Sequence, residues 1–80
     1  MKYVYIIRSK LLPDCYYTGN TDNVDRRLSE HNHGKSPHTA KSKPWELVCF
    51  TTFVDDKRAI EFEKYLKTGS GRAFSNRHFR

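Results

Sequence analysis

No run of apolar residues in this 80-residue chain approaches the ~20 that a membrane-spanning helix needs, and no signal-peptide h-region opens it. Export and membrane insertion are therefore not expected, and the chain reads as cytoplasmic. Cysteine is scarce as well. Cys15 and Cys49 each lie within an apolar run, where a small hydrophobe fits as well as a thiol, so both read as reduced core residues. The four histidines, with His31 and His33 as the closest pair, lack the spacing of a zinc site, and no structural zinc is expected. Internal repeats and low-complexity segments are absent. Acidic residues are in deficit: 15 Lys and Arg face 9 Asp and Glu, for a formal net charge of +6. That surplus favours a polyanionic partner, nucleic acid first, although a soluble basic surface with no particular ligand has the same composition.

What remains is enough for one domain, residues 1–80, near the lower size limit at which an apolar core suffices without metals or disulfides. "YVYIIRS", Tyr3 to Ser9, and "CYYTG", Cys15 to Gly19, are β-rich runs joined by the Pro-containing "KLLPD", a hairpin signal. With Tyr5 and Tyr17 as cross-strand neighbours, Tyr3, Tyr5, Ile7, Cys15, Tyr17 and Gly19 share one face. Val4, Ile6, Tyr16 and Thr18 share the other. Thr21 or Asp22 is suited to cap a first helix running to about His31. The stretch from Asn32 to Pro44 reads as an exposed loop, and Trp45 to Phe53 as a third strand. Asp55 and Asp56 favour the start of a second helix that runs to about Lys67 and stops at Gly69, and Ser70 is placed to cap a short third one. The order ββαβαα predicts an α+β fold, a three-stranded antiparallel sheet covered by helices. The first strand should lie in the middle, so that the helical connection crosses over it in the right-handed sense.

Charged residues stand out against this pattern. At ~100° per residue, Val24, Leu28 and His31 fall on the arc of the first helix that faces the sheet, with Arg27 on its flank and Arg26 opposite. In the second helix Ala59, Phe62 and Leu66 define the buried arc, and Glu63 lies within about 70° of its centre. A guanidinium or carboxylate at such a margin needs a partner. One outcome is that Arg27 and Glu63 simply pair with each other. The other is that both helices pack over the Tyr5 and Tyr17 face, where the four side chains form a cluster suited to phosphodiester hydrolysis. Glu63 would then hold a divalent cation, Arg27 the phosphate oxygens, and a tyrosine would transfer the proton. Either tyrosine also fits the core with its hydroxyl at the rim.

In its motifs the chain resembles the GIY-YIG nuclease domain. "YVY" at Tyr3 to Tyr5 and "YTG" at Tyr17 to Gly19 are similar to the two short motifs, "DNVDRRLSEHN" to the first-helix motif, and "AIEFEKYLK" to the helix carrying the metal-binding glutamate. "TAKSKPWELVCF" and "KTGSGRAF" resemble the small, single-domain bacterial branch. The resemblance implies Tyr5 and Tyr17 as motif tyrosines, Arg27 as the phosphate-binding arginine, His31 as an accessory active-site residue and Glu63 as the ligand of one Mg²⁺ or Mn²⁺ ion. It further implies a metal-dependent endonuclease acting on DNA, branched or damaged DNA included, since larger members serve in homing, excision repair and junction cleavage. Tyr3 stands where the first motif usually has glycine, Thr18 where the second usually has isoleucine or valine, and Asn20 where excision-repair members have a lysine. Asn76 is the nearest candidate for a late active-site asparagine.

For the chemistry, Tyr17 is assigned to activate water with help from His31, and Tyr5 to orient the water or the phosphate. Lys35, Lys41, Lys43 and Arg72 are the expected phosphate contacts outside the reacting centre. Trp45 either stacks on a base or packs at the sheet's edge. Two other readings stay open: a catalytically idle domain of this type that binds nucleic acid, and a structural basic module.

Overall fold

The computed structural model describes residues 1–80. Three strands, β1 (Lys2–Ser9), β2 (Tyr16–Thr21) and β3 (Trp45–Phe53), form one antiparallel sheet in the order β2-β1-β3. Between β2 and β3 lie helix α1 (Val24–Asn32) and a 3₁₀ turn at Ala40–Ser42; α2 (Asp56–Leu66) and α3 (Gly69–His78) follow. The expected α+β architecture and the central position of the first strand are both found. β1 is the middle strand because it alone can be apolar on both faces: Val4, Tyr5, Ile6 and Ile7 are consecutive and all buried. No helix is long and apolar enough to cross a membrane.

The alternation of β1 separates two packing layers. Tyr5 and Ile7 pack with Trp45, Cys15, Tyr17 and Leu28 of α1 on one face. Val4 and Ile6 meet Ala59 and Leu66 of α2 on the other, joined by Tyr16, Cys49, Phe62 and Phe74. The helices thus cover opposite faces, so the arrangement with both over the Tyr5 face, one of the two left open by the sequence, does not occur. The physical reason is that each face of β1 carries bulky apolar side chains and needs its own cover. The cysteines are free thiols in separate layers, and burial pushes the Cys49 thiol up.

Pairing of β1 with β2 sets Tyr5 opposite Gly19 and Ile7 opposite Tyr17. Tyr5 and Tyr17 are therefore diagonal neighbours on one face rather than directly opposed. On the other side Ile6 faces Cys49 and Ile7 faces Leu47, so Val48 is an extra residue in β3, a bulge.

The caps differ from expectation in two of three helices. Asn23 caps α1, its side chain accepting from the Arg26 N–H at 2.9 Å, because Thr21 is still paired within β2 and Asp22 is engaged by Arg26. Asp55 caps α2 through the Lys57 N–H, in keeping with the sequence. Thr68 rather than Ser70 caps α3, accepting from the Gly71 N–H at 3.1 Å, because α3 begins almost as soon as α2 ends. The segment after α1 is also not simply an exposed loop. Ser36 and Thr39 are buried, the Trp45 indole N–H donates to the Thr39 carbonyl at 2.9 Å, and the Asn32 amide donates to the Trp45 carbonyl at 3.1 Å. Trp45, 3% exposed, packs on Tyr5 and Ile7 and offers no free face to a base.

Gly71 sets how closely α3 approaches α2. A Cβ there would lie 1.8 Å from the Tyr65 carbonyl oxygen and 2.5 Å from the Leu66 Cα, both backbone atoms that cannot turn aside. Gly71→Ala should therefore push the helices apart and lower stability by about 1–3 kcal/mol in denaturant melts, despite the better helix propensity of alanine. An unchanged or raised midpoint would show that the contact is not limiting.

Candidate active site

The Tyr5 side chain leaves the central strand and lies across Gly19 of the edge strand β2. A Cβ on Gly19 would come within 2.5 Å of the Tyr5 hydroxyl and 2.8 Å of its Cζ, so only glycine leaves this path open. The ring is 2% exposed, and the hydroxyl meets His31 Nε2 at 2.7 Å. His31, fully buried on the sheet-facing side of α1, has its Nδ1 2.7 Å from Thr39 Oγ1, and that hydroxyl lies 3.4 Å from the Ser36 carbonyl. The proton arrangement that satisfies this chain has Thr39 donating to Ser36, His31 Nδ1–H donating to Thr39, and Tyr5 O–H donating to Nε2.

Electrostatics agree with that assignment. Burial pushes the Tyr5 phenol up to about 12, with the Tyr17 and Glu63 charges adding to the rise and the Arg27 guanidinium partly opposing it. Burial, followed by the Arg27 cation, holds the His31 imidazole below its ordinary range. Near neutral pH the pair is thus a phenol and a neutral imidazole.

Arg27 reaches the same place from the flank of α1. Its Nη1 donates to Glu30 Oε1 at 2.9 Å, one turn along the helix, and this pairing raises the guanidinium pKa while lowering that of the Glu30 carboxyl. The direct Arg27–Glu63 ion pair does not occur. Arg26 points away and pairs with Asp22 and Glu30 at the surface. Tyr17, half-buried, lies with its ring centre 6.4 Å from that of Tyr5 and 5.2 Å, edge-on, from that of His31.

Glu63 approaches from the opposite layer. Its carboxylate accepts from the Asn20 side-chain amide and pairs with the Lys67 ammonium at 2.6 Å, and that ammonium is 5.8 Å from the centre of the Tyr17 ring. Asn20 follows Gly19 and pairs with Val4, so it lies on the α2 face of the strand. Tyr5, Tyr17, Arg27 and His31 from one layer and Glu63 from the other consequently gather around the outer edge of β2, although their helices lie on opposite sides of the sheet.

The remaining candidates lie outside this cluster. Lys35, Lys41 and Lys43 are exposed on the segment after α1, Arg72 is exposed at the start of α3, and none of the four enters an ion pair. Asn76 is exposed on α3 and accepts from Arg80 at 3.2 Å rather than joining Tyr5 and His31. Four groups at the site escaped the sequence reading of roles: Glu30, Lys67, Asn20 and Thr39. Glu30 and Lys67 stand three and four residues after Arg27 and Glu63, a helix spacing that signals a pair. Thr39, in irregular chain eight residues beyond His31, carries no such signal.

Nowhere do three or more His, Cys, Asp or Glu side chains converge as a metal cage. A single carboxylate, 14% exposed, could supply one ligand to a hard divalent ion completed by phosphate oxygens and water, not a closed metal site, and the Lys67 ammonium that pairs with it would have to give way.

The chain's sequence matches the GIY-YIG catalytic domain over residues 1–77. The chain belongs to the GIY-YIG family. It is 38% identical over 71 residues to the structure-specific endonuclease subunit SLX1 of Debaryomyces hansenii, a match covering 80% of this chain and 20% of that protein. A UPF0213 protein of Clostridium perfringens is 37% identical over 68 residues, covering 84% of this chain and 71% of the relative. The solution NMR structure of a UPF0213 protein from Bacillus halodurans superimposes with a TM-score of 0.57 at 35% identity, covering 95% of this chain and 81% of that one. The chain thus spans about a fifth of the SLX1 protein and most of the small bacterial relatives. A GIY-YIG catalytic domain related to endonuclease subunits is a nuclease-type fold.

Two outcomes follow from the Tyr5–His31–Thr39 chain. Gly19→Ala should displace the Tyr5 ring and cost about 1–3 kcal/mol, read as a lowered denaturation midpoint together with a changed His31 ring resonance. The second concerns acid. His31 is held neutral in the folded state, whereas an unfolded histidine takes up a proton near pH ~6.5. Its contribution is complete above that pH and is lost as the pH falls below it, by up to about 1.4 kcal/mol per pH unit for one proton. Melting temperatures between pH 7 and pH 5 should fall in the wild type and stay flatter in His31→Gln; equal slopes would refute the neutral imidazole. Of the groups that face or flank the ring, Tyr5 and Arg27 are pushed up and Glu30 is pushed down, so these three keep their charge states across this window.

Proposed function

We propose that this chain is a divalent-metal-dependent endonuclease that hydrolyses phosphodiester bonds in DNA. The observation that carries the reading is the gathering of two tyrosines, a buried neutral histidine, an arginine and a carboxylate at one strand edge. Related endonuclease subunits support it. Tyr17, the more exposed of the two phenols, relays the proton of the attacking water, its own hydroxyl proton passing to solvent as it accepts that proton, with His31 at its flank. Tyr5, whose raised pKa keeps it a phenol and whose O–H is given to His31, is held in place by His31 and Thr39 and offers its oxygen as an acceptor that orients the attacking water. Arg27 exchanges Glu30 for the phosphate oxygens and stabilises the charge that develops there. Glu63 holds the ion, Mg²⁺ or Mn²⁺, which when bound supplies Lewis-acid stabilisation of the leaving 3′ oxygen. Asn20 keeps the Glu63 side chain toward the edge, while Lys67 is the partner that the ion would displace. Lys35, Lys41 and Lys43 provide further phosphate contacts.

One observation favours a second reading. Both oxygens of Glu63 already have partners in Asn20 and Lys67, so the carboxylate is satisfied without metal, as in a domain that binds nucleic acid but does not cut it.

Cleavage of branched, single-stranded and duplex DNA with Mg²⁺ or Mn²⁺ separates the two. The nuclease reading expects cutting that chelation abolishes and that Tyr17→Phe and Glu63→Gln each reduce by about 100-fold or more. A wild type that binds DNA with salt-dependent affinity but cuts none of the three substrates supports the binding module instead.

A further inference from the structure

Beside Tyr17, on the face covered by α2 and α3, lies a cleft of about 230 Å³ lined by Tyr16, Tyr17, Leu66, Lys67, Arg72 and Arg80. It holds three cationic side chains and no acidic one. Lys67 is already committed to Glu63, but neither Arg72 nor Arg80 enters an ion pair. Arg80 is nevertheless held in place: its guanidinium carbon lies 4.2 Å from the centre of the Tyr16 ring, and its Nη1 donates to Asn76 at 3.2 Å. Arg72 starts from the first turn of α3, where its N–H is bonded to the Thr68 carbonyl.

Two guanidinium groups without an ion-pair partner in one concavity form a receptor for a phosphate oxyanion, because the planar donor fork matches that geometry, and the Tyr16 ring under Arg80 holds one fork in place. The volume is below the ~300 Å³ at which pockets begin to enclose a whole drug-sized ligand, which suits one phosphate group of a longer chain. Lys67, between the cleft and Glu63, shields that carboxylate from an incoming anion.

We propose that this cleft binds a backbone phosphate next to the scissile one on the cut strand. The strand then crosses the outer edge of β2, with Arg27 on one side of the crossing and Arg72 and Arg80 on the other. Identification of the neighbouring phosphate as scissile rests on the nuclease reading; binding of a backbone phosphate in the cleft does not. Asn76 thereby acquires a positioning role, holding Arg80 rather than touching reacting atoms.

The test is fluorescence anisotropy of a labelled single-stranded oligodeoxynucleotide under chelation, so that binding is read without cleavage. Arg72→Gln/Arg80→Gln should bind about tenfold more weakly and flatten the plot of log affinity against log salt by about 1.4, two contacts at ~0.7 each. Lys57→Gln/Arg58→Gln, which removes the same charge from the opposite end of α2, should leave that slope unchanged. Arg72→Gln alone, at an exposed position, should flatten it by about 0.7, a reading that does not depend on the Arg80 contact with Tyr16. Wild-type slope and affinity in the cleft variants, or an equal loss in the control, would overturn the proposal. Cleavage is scored separately. A wild type that cuts nothing while the cleft variants lose binding removes the nuclease reading and leaves the cleft. Cleft variants that bind and cut like the wild type do the reverse.

Discussion

Everything at the candidate site depends on the Tyr5 side chain crossing Gly19. A residue in the middle of a central strand is normally sealed between its neighbours, and Tyr5 is indeed almost fully buried. Its hydroxyl reaches the outer edge of β2 only because the residue opposite has no Cβ. Once there, it has to be satisfied, since a buried hydroxyl without a partner costs ~1–3 kcal/mol. His31 provides the partner, and Thr39 fixes the ring's other nitrogen. One glycine therefore places a phenol at the edge, and the burial that surrounds it determines that α1 must present a histidine and that the following chain must return to meet it.

The two charged residues are held by a different principle. Arg27 is paired with Glu30, and Glu63 with Lys67, each within one turn of its own helix and each partly solvated. Such local pairs are worth only ~0.2–0.5 kcal/mol. They orient the side chains at little cost and are readily exchanged for a stronger partner, a phosphate at Arg27 or a divalent ion at Glu63. Had Arg27 and Glu63 bonded directly in a buried setting, breaking the pair would have left uncompensated charge, and the site would have resisted its ligands.

How much of this was legible in the sequence follows from the range of the interactions. Period-two alternation assigned Tyr5 and Tyr17 to one face and Tyr16 to the other, and helical periodicity marked Arg27, His31 and Glu63 as the groups at the margins. These are local properties. Which layer each helix would occupy is not local: it depends on β1 being apolar on both faces and β2 lying at the edge. That is why packing of both helices on one side stays open in the sequence, whereas they lie on two. The caps failed for a related reason, since Thr21 is claimed by strand pairing and Ser70 is preceded by Thr68 in an abrupt helix junction. Thr39 belongs to chain without periodicity, where a contact eight residues from His31 leaves no pattern to read, and it is this same segment that covers Trp45 and decides between its two alternatives.

An edge strand explains why two layers can share a single site. An exposed edge ordinarily invites pairing with another chain, and proteins protect it with short length, charge or cover. β2 has six residues, and at Asn20 its α2 face is met by Glu63, which Lys67 holds in turn. The feature that guards the edge thus also delivers the carboxylate. Because side chains alternate along a strand, Tyr16 and Tyr17 belong to different layers, yet both border the same cleft, which only a strand with no neighbour on that side permits. The sheet separates the helices everywhere except along this margin, so chemistry that needs groups from both layers has nowhere else to assemble.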